Sequence, residues 1–316
     1  MNSCFESLKN HPRGVILDTD IGPDCDDVGA LACLIHYAKT YGFPILGVCN
    51  CTSNPAGNGT VDAVCRHCGY PTPALGQWDK PGFLDSDPFC RYNKSVAEKF
   101  SDDYRTGTLK VADPVTFYRR LLADAPDHGV MIITIGMFNN LAALLDSPAD
   151  HISPLTGPEL IRAKVYALVS MAAILPEGRE FNVFCDHVSC QQVFAKWPTP
   201  VFLSDFRIGY NMMTGFDSLT DADEAAKSPL TLAYYLYSGG MNHSFDLTAV
   251  QFAALGEGEL YALHEPVELE FYAEQPDGPA DATRAIPHPD GKFFFMKKVA
   301  EDEVVAESLN RILRAY

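Results

Sequence analysis

Val15-Ile-Leu-Asp18-Thr-Asp20-Ile-Gly22-Pro-Asp24-Cys-Asp26-Asp27-Val-Gly-Ala-Leu31 is the stretch that organises this chain of 316 residues. It opens on a short apolar run and passes through five carboxylates within ten residues. It closes on Val28, Leu31, Ala32, Ile35 and Ala38, which fall on one face at helical spacing. A strand therefore feeds a helix through an acidic loop. Packed together, these carboxylates repel one another strongly at low effective dielectric. A compact loop needs a cation, helix N-terminal amides or protonation to offset the charge, and a hard divalent metal does this best. One aspartate would be explained as a helix cap; five between an apolar strand and an apolar helix face ask for more. An EF-hand does not fit. Counted from Asp18 it places Gly22 at position five and Gly29 at the bidentate glutamate; counted from Asp20 it places Cys25 at the required glycine and Leu31 at the glutamate. The glycines and Lys-Ser/Thr pair of a phosphate-cradling loop are also lacking.

Outward from this loop, short apolar runs followed by Gly, Asp or Asn predict strands at 15–17, 45–49, 74–75, 131–135, 165–170 and 201–203. Helical stripes lie between them: Phe117, Leu121 and Leu122; Leu141, Leu144 and Leu145; and a weaker one at Val188, Gln191, Gln192 and Ala195. The alternation predicts an α/β protein with a doubly wound, mostly parallel open sheet, whose ligands bind outside the carboxyl ends of the strands. The stretch 76–110, polar and rich in Asp, Pro and aromatics, reads as an insertion with one short helix near 96–104. Two further strands, at 267–271 and 292–297, and a helix at 302–315 read as C-terminal additions to the sheet. With no internal repeat, residues 1–316 are expected to form a single domain.

Lys plus Arg total 24 against 41 Asp plus Glu, a formal charge of -17, which repels phosphate backbones and anionic headgroups and argues against nucleic-acid or membrane-surface partners. No apolar run approaches the roughly 20 residues that cross a bilayer. The start, MNSCFESLKNHPRG, is too polar for the core of a signal peptide, so a cytoplasmic location is expected. The ten scattered cysteines then read as free thiols, and no metal is assigned to Cys65 and Cys68 because a second pair at zinc-site spacing is missing.

Asp18-Thr-Asp20-Ile-Gly22 with Asp26-Asp27 before a helix resembles the signature of the inosine-uridine-preferring nucleoside hydrolases, calcium-dependent N-ribohydrolases. Three later segments resemble the family in the same order: Gly136-Met-Phe-Asn139-Asn140-Leu-Ala, then Met171-Ala-Ala with Glu180-Phe-Asn182-Val-Phe-Cys-Asp186, then Phe245-Asp246-Leu-Thr-Ala-Val. Together they span about residues 14–255. The resemblance implies the Rossmann-like nucleoside hydrolase fold and hydrolysis of ribonucleosides to free base and ribose.

By resemblance the Ca2+ ligands are Asp20, Asp27, the backbone carbonyl of Asn139, and Asp246, with Asp20 also the general base that activates a bound water. Asp26 with Asn182 takes the 2′ and 3′ hydroxyls, Glu180 the 5′ hydroxyl, and Met171 lies in the ribose segment. Asp18 is expected to orient the loop through backbone hydrogen bonds. Dimers or tetramers of the chain are implied in the same way.

Two departures from the family pattern stand out. Pro23-Asp24-Cys25 lengthens the loop. Anchoring on the strand would put Cys25 at a calcium-ligand position, which a soft thiol serves poorly; anchoring on the helix keeps Asp26 and Asp27, with Asp24 an added ligand or a loop brace. Phe245 stands where purine-cleaving members carry the histidine that protonates the leaving base, which leaves His243, Tyr234, Tyr235 and Tyr237 as substitutes. That change motivates a second reading, a calcium-dependent ribose- or nucleoside-binding protein without efficient hydrolysis. A third, a phosphatase using Asp18 as nucleophile and Asp20 as acid, fits less well, because Ile21-Gly22 replaces the expected small-residue and Thr pattern.

Overall fold

The computed structural model describes residues 5–219 and 221–316. Cys4 lies outside them. In chain order the strands are β1 (Gly14–Thr19), β2 (Ile45–Asn50), β3 (Ala74–Gln77), β4 (Val111–Ala112), β5 (Val130–Thr134), β6 (Val165–Met171) and β7 (Glu177–Gly178). There follow β8 (Val201–Ser204), β9 (Met213–Gly215), β10 (Met241–His243), β11 (Tyr261–Leu263), β12 (Val267–Tyr272), β13 (Ala282–Pro287) and β14 (Phe293–Lys298).

One sheet runs β4-β3-β2-β1-β5-β6-β8-β14-β12-β13-β7. From β4 to β14 all neighbours pair in parallel; beyond β14 they are antiparallel. β1 sits centrally, with Asp18 opposite Cys49 of β2 on one side and Thr134 of β5 on the other.

The strands divide the core by alternation. Val15 and Leu17 of β1, Met131 and Ile133 of β5, and Ala167 and Val169 of β6 face one apolar layer; Ile16, Ile132 and Leu168 face the other. The first layer is closed by helices Asp26–Tyr41, Phe245–Leu255 and Asp302–Leu313, and the second by Pro114–Ala123, Asn139–Leu145 and His187–Lys196. Parallel strands buried on both faces read as continuous apolar runs, which is why these strands are visible in the sequence. Chain order reverses between β1 and β5, so the crevice beyond their carboxyl ends is the place where such a sheet holds a ligand.

Several expectations change in detail. The stripe predicted on Val188, Gln191, Gln192 and Ala195 is not the buried one: Val188 is 64% exposed, and the helix packs through Cys190, Val193 and Phe194. The Phe194 ring sits 5.1 Å from those of both Phe138 and Phe293, and that contact sets the rotation of the helix. The C-terminal strands hold β13 between them in sequence, and β14 extends the parallel block instead of trimming its edge. The short helix near 96–104 is two, Asn93–Phe100 and Asp102–Thr106, because Ser101 ends one and caps the other through Tyr104 N–H.

The nine described cysteines are free, with Cys65 and Cys68 buried among apolar side chains. Among the described residues no helix is long and apolar enough to cross a membrane.

Candidate functional site

The acidic loop leaves the end of β1 and enters the helix Asp26–Tyr41, whose first turn carries Asp26 and Asp27. Thr19 Oγ1 donates to Asp27 Oδ1 and accepts from Ile21 N–H at 3.1 Å, folding the loop back on the strand end. The turn at Gly22 has φ +152°, and a Cβ there would come within 2.8 Å of the Phe89 carbonyl oxygen. The polar stretch after β3 holds the loop from outside: Asn93 Nδ2 donates to Ile21 O at 2.6 Å, and Tyr92 OH to Asp24 O at 2.7 Å. Sequence reasoning assigned Tyr92 and Asn93 no role, and no local signal marks them.

The start of the helix Phe245–Leu255 meets the start of the helix Asp26–Tyr41, where Asp246 N–H donates to Asp26 Oδ2 at 2.9 Å. This brings carboxylate oxygens of Asp24, Asp27 and Asp246 within 4.8 Å of one another. Asp26 Oδ1 and Asp27 Oδ2 are buried and, among the described residues, have no hydrogen-bond partner. Asp24 thus joins the carboxylate group directly, while its backbone is what Tyr92 braces. Asp20 stands outside that group of three but lines the same cavity as Asp24 and Asp246. Burial, followed by the negative charge of neighbouring aspartates, pushes the carboxyls of Asp20, Asp26, Asp27 and Asp246 well above the usual range; burial also raises Asp24.

Asp18 departs from expectation. Its Oδ2 accepts from the side chains of Tyr118, at 2.6 Å, and Asn140, at 3.0 Å, and not from the loop backbone; burial raises its carboxyl to about 7. The residue is fully enclosed behind the site. Asn139 Nδ2 donates to Cys51 O at 2.9 Å, while Asn139 Oδ1 is buried without a partner. Just before this segment, Gly136 lets β5 approach the loop: a Cβ there would lie 2.7 Å from Asp20 N.

Elsewhere on the cavity wall, Glu180 caps the short helix Phe181–Cys185. Its oxygens accept from Asn182 N–H at 2.9 Å, Val183 N–H at 3.1 Å and Ala173 N–H at 3.3 Å, and burial raises its carboxyl to about 7. Asn182 Nδ2 donates to Met171 O at 3.0 Å, tying it to the end of β6. Asp20, Met171, Glu180, Asn182 and Asp246 line one cavity of about 80 Å³. At roughly 10–15 Å³ per enclosed water, that volume admits a small polar molecule.

Phe181, Phe206 and Phe245 form the apolar wall of the cavity, with Phe206 and Phe245 stacked at 5.0 Å and 19°. Phe181 and Phe206 were missed in the sequence because a lone Phe after a strand carries no functional signature. Asp26 and Asp27 lie behind this lining, and His243, Tyr234, Tyr235 and Tyr237 are also absent from it. His243 Nδ1 is paired with the Tyr210 carbonyl and its ring is stacked on Tyr210 at 5.0 Å, while Tyr234 is buried.

The inosine-uridine preferring nucleoside hydrolase from Bacillus anthracis superposes with a TM-score of 0.66 at 12% identity, covering 96% of this chain and 100% of that one. The Inosine-Guanosine Nucleoside Hydrolase superposes at 0.67 and 16% identity, covering 96% and 99%. The chain has the nucleoside hydrolase fold.

Its nucleoside hydrolase architecture is shared with the type III effector protein XopQ complexed with adenosine diphosphate ribose, at a TM-score of 0.62 and 14% identity over 98% of this chain and 95% of that one. No family model matches the sequence, and no curated protein sequence matches it.

Proposed function

We propose that this chain is a Ca2+-dependent hydrolase of N-ribosides, built as a single domain of residues 1–316 with an insertion at about 76–110, and releasing a free base and ribose. The observation that carries the reading is the convergence of Asp24, Asp27 and Asp246 beside Asp20, on a cavity that also holds Glu180 and Asn182. The orphaned oxygens of Asp26 and Asp27, both buried, are the chemistry of a hard-cation site, since all-oxygen donor sets select Ca2+ or Mg2+ and flexible sets of several carboxylates favour Ca2+. Asp24, Asp27 and Asp246 would hold the ion, with Asp20 and the Asn139 carbonyl completing the set. When bound, a divalent cation orients a water and two sugar hydroxyls against C1′.

Asp20 takes the proton of the attacking water. Asn182, which lines the cavity, receives the 2′ and 3′ hydroxyls, and Asp26, behind that lining, holds the Asp246 backbone in place instead of reaching the sugar itself. Glu180, which accepts from the backbone N–H groups of Ala173, Asn182 and Val183 and lines the cavity, is the group for the 5′ hydroxyl. The cytoplasmic homo-dimer or homo-tetramer belongs to the same proposal.

The test is release of reducing sugar from a panel of ribonucleosides, before and after chelation and on return of Ca2+. Chelator-sensitive sugar release supports the reading. Calorimetric binding of a nucleoside with no sugar released from any of the panel replaces it with a ribose- or nucleoside-binding function, which Phe245 and the ADP-ribose complex of XopQ favour.

A further inference from the structure

Cleaving an N-glycosidic bond leaves the bonding electron pair on the departing nitrogen. A neutral nucleoside therefore expels an anion unless a proton arrives with it. Among the described residues, none of the side chains lining the cavity is a His, Lys, Arg, Tyr or Cys. The lining carboxyl groups have other tasks in the proposed hydrolase: Asp24 and Asp246 belong to the cation cluster, Asp20 is the proposed base, and Glu180 accepts from the backbone N–H groups of Ala173, Asn182 and Val183. Asn182 offers an amide, which is no acid. His243 stands behind Phe245, at 5.5 Å between ring centres, and its Nδ1 bonds a carbonyl oxygen that can only accept.

In place of an acid, the lining offers the aromatic rings of Phe181, Phe206 and Phe245. Phe206 stacks on Phe245 at 5.0 Å, Tyr210 lies 5.0 Å from Phe206, and His243 stacks on Tyr210 at 5.0 Å. Ring faces attract cations through their quadrupole, Phe included. The remaining lining adds four carboxylates and no cationic side chain.

Resting on the proposed hydrolase reading, we infer that the preferred substrates are N-ribosides of cationic heteroaromatics, with an N-ribosylpyridinium as the type. The balance needs no leaving-group acid. Water oxygen bonds to C1′, the C1′–N pair returns to the ring nitrogen and cancels its positive charge, a neutral pyridine leaves, and the water proton passes to Asp20 and on to solvent.

Two measurements test this. First, kcat/KM is compared for N-(β-D-ribofuranosyl)pyridinium, inosine and uridine on the Ca2+-loaded full chain. The pyridinium riboside is expected to lead both by at least about 10²-fold, the scale of one general acid. Equal or faster cleavage of inosine or uridine overturns the inference and leaves the hydrolase reading intact, whereas no sugar from any of the three overturns the hydrolase reading. Second, calorimetry on Asp20→Asn compares the same cation with its uncharged isostere, 1-(β-D-ribofuranosyl)benzene. The cation is expected to bind about tenfold tighter, with Phe245→Leu removing most of the difference; equal binding of the two overturns the inference whatever the turnover.

Discussion

Asp26 Oδ2 accepts a 2.9 Å hydrogen bond from the backbone N–H of Asp246, 220 positions along the chain. Both residues lie in the first turns of their helices, so two helix N-termini, each with partial positive charge, point into one cluster of carboxylates. These dipole ends offset part of the repulsion but are short of a full charge each. The raised carboxyls of the cluster are the remainder, and they define what a bound cation should do to the protein.

Calcium should stabilise the fold. Saturation at a hundred times Kd is worth about 2.7 kcal/mol, readable as a rise in Tm by scanning calorimetry. Asp24→Asn and Asp246→Asn should lose most of that rise, while Asp79→Asn, on an exposed loop, should keep it. A Ca2+ shift retained in both cluster variants would remove these residues from the site.

Calcium affinity should also depend on pH. Burial and then neighbouring charge raise Asp20, Asp26, Asp27 and Asp246, and burial alone raises Glu180 to about 7. A raised folded carboxyl holds a proton that the unfolded chain gives up near pH 4. The metal-free protein is therefore most stable below that pH with respect to these groups, and loses this contribution as pH rises through the folded values. Cation binding must expel the protons held by its ligand carboxyls, so affinity should climb with pH across a titration from about pH 5 to 8. Calorimetry in two buffers of different ionisation enthalpy measures the protons released; an affinity flat across that range would contradict the buried cluster.

Asp20→Asn should cut sugar release by at least about 10²-fold while Ca2+ still registers in the thermal scan, since Asp24, Asp27 and Asp246 remain. Unchanged turnover in a metal-loaded variant would defeat its assignment as base.

Tyr92→Phe should weaken Ca2+ binding by about 10- to 100-fold, the usual effect of removing a group that orients a metal ligand, because Tyr92 OH holds the Asp24 carbonyl at 2.7 Å. Calcium titration beside urea unfolding separates this from a general loss of stability, which should be about 1 kcal/mol for one neutral hydrogen bond.

Gly136→Ala places a Cβ 2.7 Å from Asp20 N and 2.8 Å from Cys51 Sγ. Displacing Asp20 by a fraction of an ångström up to 1 Å should lower kcat by about 10- to 100-fold, and crowding the crevice should cost about 1–3 kcal/mol in stability. A variant with wild-type kcat would show that the approach of β5 to the loop does not position the base.

What the sequence determined by itself is what local chemistry records. The runs at β1, β5 and β6 are buried on both faces, so their apolar character is continuous and visible; the crowding of Asp18 to Asp27 states its own electrostatic problem. The helix after that loop is legible from its spacing, whereas the rotation of His187–Lys196 was misread because Phe194 packs on Phe138 and Phe293, partners remote in the chain. Only tertiary structure decided that Asp24 joins Asp27 and Asp246, that Tyr92 and Asn93 brace the loop, and that Tyr118 and Asn140 satisfy Asp18. It likewise put His243 behind Phe245 and off the cavity wall. These relationships depend on strand order and on how helices settle against the sheet, and a residue's immediate neighbours in sequence carry no record of either.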